Sequence, residues 1–447
     1  MRPFVAALFA LALFAGCDDK KEDPGKAGKT AKADAKSKAD SKGTKADTKS
    51  ERKDAKSDTA GAETKDAKAE PPDPNDREPQ GKADDDASAK ALAEFEKSRE
   101  EKKVEVTAKA GTPEWFVQGL EAFRAGDIDP IVANFATDIV WDAVGSPLEP
   151  PSVGKAAVMA RWEDLLIGIP DMKLHARRIF AHGNLVVMQV VLTGTHKGSF
   201  RGIAPTEKPV GAEVLAWVWH NAEGKANKVR VVYDEATLLA QMGKLEGQPA
   251  PAIPDVPTGT PEIITGEDDA AATKVMKDIY KAGKGAWKLC ASKLCTPDVV
   301  HHDTRGGKDI TTAAEHEAGH NAFFAAFPDM KLAVEDVSSF GAGWVVIFAH
   351  AKGTHKGDLG PLKATKKKVD LGYAELARLD GGKIAESWSY SNGLEMLADL
   401  GLFAPPAPAV EVAPADAKKP GEAKADEAKA GETKADAKKA DEAKKSP

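Results

Sequence analysis

The feature that most constrains the fold of this chain is an internal repeat. IPDMKL (169–174) returns as FPDMKL (327–332), and GTHKG (194–198) returns unchanged at 353–357. Further on, GKANKVRVVYDEATLLAQMG (224–243) aligns with GKIAESWSYSNGLEMLADLG (382–401). Three matches in the same order at a nearly constant offset require two copies of one domain. The Pro-rich stretch GQPAPAIPDVPTGTPE (247–262) separates them and reads as a linker. The expected folded units are 109–246 and 267–404, joined by a linker over 247–266.

Each copy follows the same plan. In copy one the stretch TPEWFVQGLEAFRAGD predicts a helix capped by Thr112, with Pro113 in the first turn and Gly126 closing it. A shorter helix over 130–135 leads to a strand through 140–142, and a third helix over 155–167 stops at Pro170. Apolar-rich strands are expected over 173–181, 185–194, 213–220 and 228–233, then a short helix over 235–241. Helices first and a curved sheet afterwards make each copy an α+β domain.

Outside the two copies the composition changes. The start MRPFVAALFALALFAGC has a cationic residue, an apolar run too short to span a membrane, and small residues before Cys17, so 1–16 reads as a secretion signal. Its end resembles the lipobox of bacterial lipoproteins, which implies lipidation of Cys17 and a lipid-anchored protein of the bacterial cell envelope, facing the periplasm or the exterior. The segments 17–108 and 405–447 are built from Lys, Ala, Asp, Glu, Ser, Thr and Gly with few large apolar residues, so they are expected to be a disordered tether and a disordered charged tail. A formal net charge of -7, spread through tracts of mixed sign, argues against nucleic-acid binding. The remaining cysteines, Cys290 and Cys295, are close enough in sequence for a disulfide if the helix carrying Cys290 ends before Cys295.

The phrase GTHKGSFRGIAPTEKPV, preceded by a helix ending in IPD and followed by YDEATLLAQMG, resembles the SnoaL-like polyketide cyclases. These share the nuclear transport factor 2-like fold, a cone of helices packed on a curved mixed sheet around one pocket. The resemblance implies a small-molecule ligand and an acid/base role for Asp234, within VVYDEATLLAQMG. Burial at an apolar wall raises a carboxyl pKa toward the range useful for moving a proton next to a carbonyl. Asp is also favoured as a helix cap, which gives Asp234 a purely structural alternative. Trp141, Asp142, Trp162, His196, Trp217 and Tyr233 are the expected lining of that pocket. Copy two has Asn392 in place of Asp234, and Asn exchanges no proton at ordinary pH, so a proton-transfer mechanism would operate in copy one only. The short Pro-rich linker permits the two copies to pack on each other as an intramolecular pseudo-dimer, and the sequence leaves open whether they do.

Copy two contains HEAGH (316–320), the HExxH pattern of zinc metallopeptidases. Aligned on the repeat, His316 stands opposite Val158 and His320 opposite Trp162, both on the apolar stripe of the third helix. The histidines therefore face the interior and line a second pocket, where they either serve only as hydrogen-bonding side chains or, with His302 as a third candidate ligand, hold a divalent metal. No other cofactor is expected. Two functions stay open: a pair of pockets that bind a small, largely apolar molecule, and a cyclase- or isomerase-type enzyme using Asp234. A peptidase through HEAGH is the remote third.

Overall fold

The structure is a computed structural model that describes residues 103–404 except 149, 246, 248 and 306–308, together with 89, 90, 93 and 97. The expected signal over 1–16, Cys17, most of the expected tether and the expected tail lie outside the described residues. Among the described residues no helix is long and apolar enough to cross a membrane.

Copy one opens with α1 (Pro113–Ala125), whose cap Thr112 accepts a hydrogen bond from the Trp115 N–H at 3.3 Å. Gly126 closes it in the left-handed region at φ 96°, a conformation that costs glycine nothing. There follow α2 (Asp129–Ala133), β1 (Phe135–Ala143), β2 (Ser152–Val153), α3 (Lys155–Gly168), β3 (Lys173–His182), β4 (Leu185–Thr195), β5 (Pro209–His220), β6 (Ala226–Val232) and α4 (Glu235–Met242). The sheet runs β2-β1-β6-β5-β4-β3, and β1 pairs parallel with β6. Phe135 was expected to end a helix; it begins a strand instead, because its backbone pairs with Ala226.

Copy two repeats this order with α5 (Ala270–Ala282), the short α6 (Ala286–Leu289), β8 (Cys295–Asp303), α7 (Ala313–Ala326), β9 (Lys331–Ser339), β10 (Trp344–Thr354), β11 (Lys368–Asp380), β12 (Lys383–Ser391) and α8 (Gly393–Asp399). Its sheet runs β8-β12-β11-β10-β9. Between the copies, the end of the expected linker forms β7 (Glu262–Thr265), paired parallel with β3 from Arg178↔Glu262 to Ala181↔Thr265. The prolines stop at Pro261, and the β-branched Ile263, Ile264 and Thr265 that follow suit a strand.

Alternation along each strand separates two cores. Met188, Val190 and Leu192 of β4 face the helices of copy one with Val214, Ala216 and Val218 of β5. Val187, Leu215 and Trp217 point the other way and meet Trp344, Val346, Phe348 and Trp388 of copy two. The outer faces of the two sheets thus pack together. Trp344 and Trp388 stack on each other with centroids 5.7 Å apart, and Arg178 covers the pair at 4.9 and 4.8 Å from their centroids. Arg230 sits 3.9 Å from the Phe348 centroid and donates to Glu335 at 2.6 Å. Gln189 Nε2 donates to the Tyr390 hydroxyl at 3.0 Å. At one end, α4 and α8 meet at their N-termini: Asp234 Oδ1 accepts from the Gly393 N–H at 2.8 Å, and Asn392 Oδ1 accepts from the Glu235 N–H at 3.3 Å.

Candidate functional site

Copy one encloses a cavity of about 150 Å³ between α1, α3 and the concave face of its sheet. The walls are apolar, with Phe116, Leu120, Leu165 and Val190 among them. Trp141 and Trp162 stand edge to face at 5.4 Å, and Phe123 supports Trp162 from behind at 5.7 Å. The buried Nε1 atoms of both tryptophans and Oδ1 of Asn134 have no hydrogen-bond partner among the described residues. An indole N–H left so in an apolar wall costs roughly 1–3 kcal/mol, a cost that a ligand acceptor removes.

The polar end of the cavity is built by Arg161, Arg201 and Tyr233. Arg201 donates to the buried Glu235 carboxylate at 2.7 Å, and Ser146 Oγ and Tyr233 Oη donate to the same Oε1 at 2.8 and 3.4 Å. Arg201 holds φ 52°, a left-handed conformation that is unfavourable for a side-chain-bearing residue. At the equivalent position of the repeat, copy two has Gly360 with φ 55°. Arginine thus stands where the backbone prefers glycine, and it is among the residues that line the cavity. Neither Arg201, Arg161 nor Asn134 was among the residues expected from the sequence, although the Arg/Gly mismatch within the repeat was visible there.

Of the expected lining, Trp141, Trp162 and Tyr233 are in place. Asp142, His196 and Trp217 are not. Asp142 is the strand neighbour of Trp141, so it points through the opposite face and lies 3.8 Å from Arg230. Trp217 faces copy two, with its ring 6.4 Å from Phe348. His196 is fully buried and clasps its own loop through Nδ1 and Thr206 Oγ1 at 3.0 Å, as His355 does with Thr365 at 3.1 Å.

Asp234 also lies outside the cavity lining. It caps α4 through Ala236 N–H at 3.1 Å and Thr237 Oγ1 at 2.8 Å, and reaches across to Gly393. Burial holds its carboxyl above the usual range against the opposing pull of the Arg305 charge. Both its oxygens are committed to hydrogen bonds, so the expected catalytic position is corrected to a cap that joins the copies. Asn392 is likewise a cap rather than a pocket residue, accepting from Leu394 N–H at 3.1 Å and donating to Glu235 Oε2 at 2.9 Å.

In copy two the equivalent interior carries buried polar side chains, among them His301, His316 and Ser387. The strand register places His301 opposite Ser387, as Trp141 stands opposite Val229 in copy one. His316 stacks on His301 with ring centroids 4.2 Å apart, and Trp287 closes over it edge-on at 4.8 Å. Burial, then the neighbouring His302, lowers the His301 pKa to about 4; burial, then His301 and His320, lowers that of His316 to about 2. Both rings are therefore neutral at pH 7. Cys290 and Cys295 form a disulfide beside them, across the single π-helical turn 290–294.

The expected metal triplet does not assemble. His302 projects from the opposite face of β8, stacked on Trp388 at 4.7 Å between Asp309 and Glu386. His320 is buried near Phe324, with Nε2 3.3 Å from the Gly283 carbonyl. Among the described residues, the donor atoms that gather are those of Cys290, His301 and His316, within 4.8 Å of one another. Glu317 is exposed on the outer face of α7 while both histidines are buried, so it cannot act on a water held between them. That geometry removes the peptidase reading.

The family model for the SnoaL-like polyketide cyclases matches residues 116–242 and again 270–400. The chain belongs to this family. Solved structures are similar to about a third of the chain. One, assigned as a SnoaL-like polyketide cyclase from Jannaschia sp. CCS1, is 17% identical, with 31% of this chain and 100% of that chain covered at a TM-score of 0.28. IdmH, assigned as a polyketide cyclase from Streptomyces antibioticus, is 24% identical, with 29% and 98% covered at 0.27. A polyketide cyclase assignment from Bacillus cereus ATCC 10987 is 21% identical, with 30% and 83% covered at 0.26. No curated protein matches the chain.

Proposed function

We propose that the first SnoaL-like domain binds a small, mostly apolar molecule carrying a hydrogen-bond acceptor or anionic end. The observation that carries this reading is the apolar cavity with the buried Trp141 and Trp162 N–H groups, which have no acceptor among the described residues. Its volume of about 150 Å³ suits one ring or a short chain, since an apolar cavity of that order takes benzene. The pockets that hold drug-sized ligands run to several hundred Å³. Arg161 and Arg201 match a carboxylate, enolate or carbonyl at the polar end. No carboxylate or imidazole is among the cavity-lining residues, which favours binding over removal of a proton. The lipobox-like start supports a lipid-anchored protein of the cell envelope, with the cavity facing the periplasm or the exterior.

Native mass spectrometry of the full chain, followed by titration with benzoate and indole-sized probes, tests the reading. Saturable binding is expected, abolished in Ala216→Phe, where the added ring fills the cavity. Probe uptake that survives Ala216→Phe in a folded variant overturns it.

A further inference from the structure

The second domain carries its own chemistry, independent of the first cavity. We propose that Cys290, His301 and His316 form a Zn(II) site that the Cys290–Cys295 disulfide keeps closed and that reduction of the disulfide opens. Their donor atoms lie within 4.8 Å of one another and all three residues are buried. In a zinc centre with bonds of about 2.0–2.3 Å, ligand atoms are ~3.5 Å apart, so the cluster has to contract by little more than 1 Å. The stacked imidazoles are the metal-free arrangement, and each turns about χ2 to bring a nitrogen onto the ion. One thiolate and two imidazoles are a donor set that zinc takes readily.

A second, outer layer orients the site. His301 Nδ1 lies 2.7 Å from Ser387 Oγ, and Ser387 in turn hydrogen-bonds the buried Glu375, which also accepts from Tyr280 Oη at 2.9 Å. With the serine hydrogen given to Glu375, Ser387 Oγ accepts from His301 Nδ1–H, which leaves the Nε2 lone pair for the metal. Copy one offers the contrast at the same backbone positions: Trp141 replaces His301, Val158 replaces His316 and Val229 replaces Ser387. The polar set in copy two is thus a coordinated departure from the repeat rather than one stray histidine.

The redox step balances with a dithiol as reductant. Two electrons and two protons from the dithiol convert the disulfide to two thiols, and the dithiol leaves as its own disulfide. Cys290 then loses its thiol proton to solvent as it ligates the ion. Cys295 is outside the gathered set, so its part is to lock Cys290 in the oxidised state.

The test dialyses the full chain against Co(II) or Zn(II), with and without dithiothreitol, and reads metal per chain and the thiolate-to-Co(II) charge-transfer absorption. Cys295→Ser is expected to bind one ion without reductant and to show the thiolate band, and wild type to do so only after reduction. Cys290→Ser and His316→Val should lose binding, and Ser387→Ala should weaken it tenfold or more. Uptake by Cys295→Ser no greater than by Cys290→Ser overturns the proposal, as does full uptake by His316→Val. Should Cys295→Ser fail to fold, wild type decides: the same metal content before and after reduction refutes a disulfide-gated site.

Discussion

Replacing Asp234 separates a structural role from a catalytic one. In Asp234→Ala the α4 cap is lost, worth about 1 kcal/mol, and the Gly393 N–H across the interface is stranded in a buried position, at roughly 1–3 kcal/mol. The half-buried Arg305 also loses a nearby carboxylate, keeping Asp303 at 3.0 Å. A loss of about 2–4 kcal/mol in folding free energy is expected. Asp234→Asn keeps an acceptor for both N–H groups, as Asn392 already does in the mirrored position, so its cost should stay under about 2 kcal/mol. Denaturant titration followed by tryptophan fluorescence measures both. Probe binding to the cavity should change by less than about threefold in Asp234→Asn, because the residue lines none of it. A tenfold or greater loss of binding or of turnover in Asp234→Asn, at unchanged stability, would refute the assignment of Asp234 as a cap.

Other consequences follow from the same geometry. Arg201→Gly, which installs the residue of copy two and suits the local φ, should weaken benzoate binding at least tenfold by calorimetry and leave an uncharged ring nearly unaffected; equal losses for both would place the guanidinium outside the ligand's reach. The buried His301 and His316 have folded-state pKa values below 6.5, so the unfolded chain takes up protons first. Their contribution to stability is complete above pH 6.5 and is lost as pH falls, toward about 4 for His301, by up to about 1.4 kcal/mol per pH unit for each ring. His316→Val should remove about 2 kcal/mol of the destabilisation between pH 7 and 5. Parallel stability curves for variant and wild type would show that His316 is protonated in the folded state.

The repeat and its helix signals made the architecture legible in the sequence, because Thr112, Gly126 and Pro170 act locally and the duplicated phrases had to fall at equivalent places. The face of each strand was harder to read. β4 is LVVMQVVLTGT and β5 is PVGAEVLAWVWH, apolar on both sides because one face meets the helices and the other meets the second copy. With both faces buried, period-two alternation no longer says which residues line the cavity, and that is how Trp217 was misplaced. Asp234 differs for another reason: its cap bonds are local, but the Gly393 N–H that shares its Oδ1 with Ala236 is far along the chain. The inward face of His316 is legible from Val158 on the repeat, and both are buried. Its partners, His301 and Cys290, come from a strand and a π turn that HEAGH does not encode.

The strand β7 has a consequence of its own. By hydrogen-bonding the linker to the edge of the first sheet, it starts the second domain at a fixed point on the first and holds the facing sheets at a high effective concentration. In a dimer of identical chains, every substitution appears twice and the interface must suit itself. Tethered in one chain, the two halves are released from that symmetry. One can keep tryptophans around an apolar hollow while the other fills the same space with histidines, and neither change has to be tolerated by its twin.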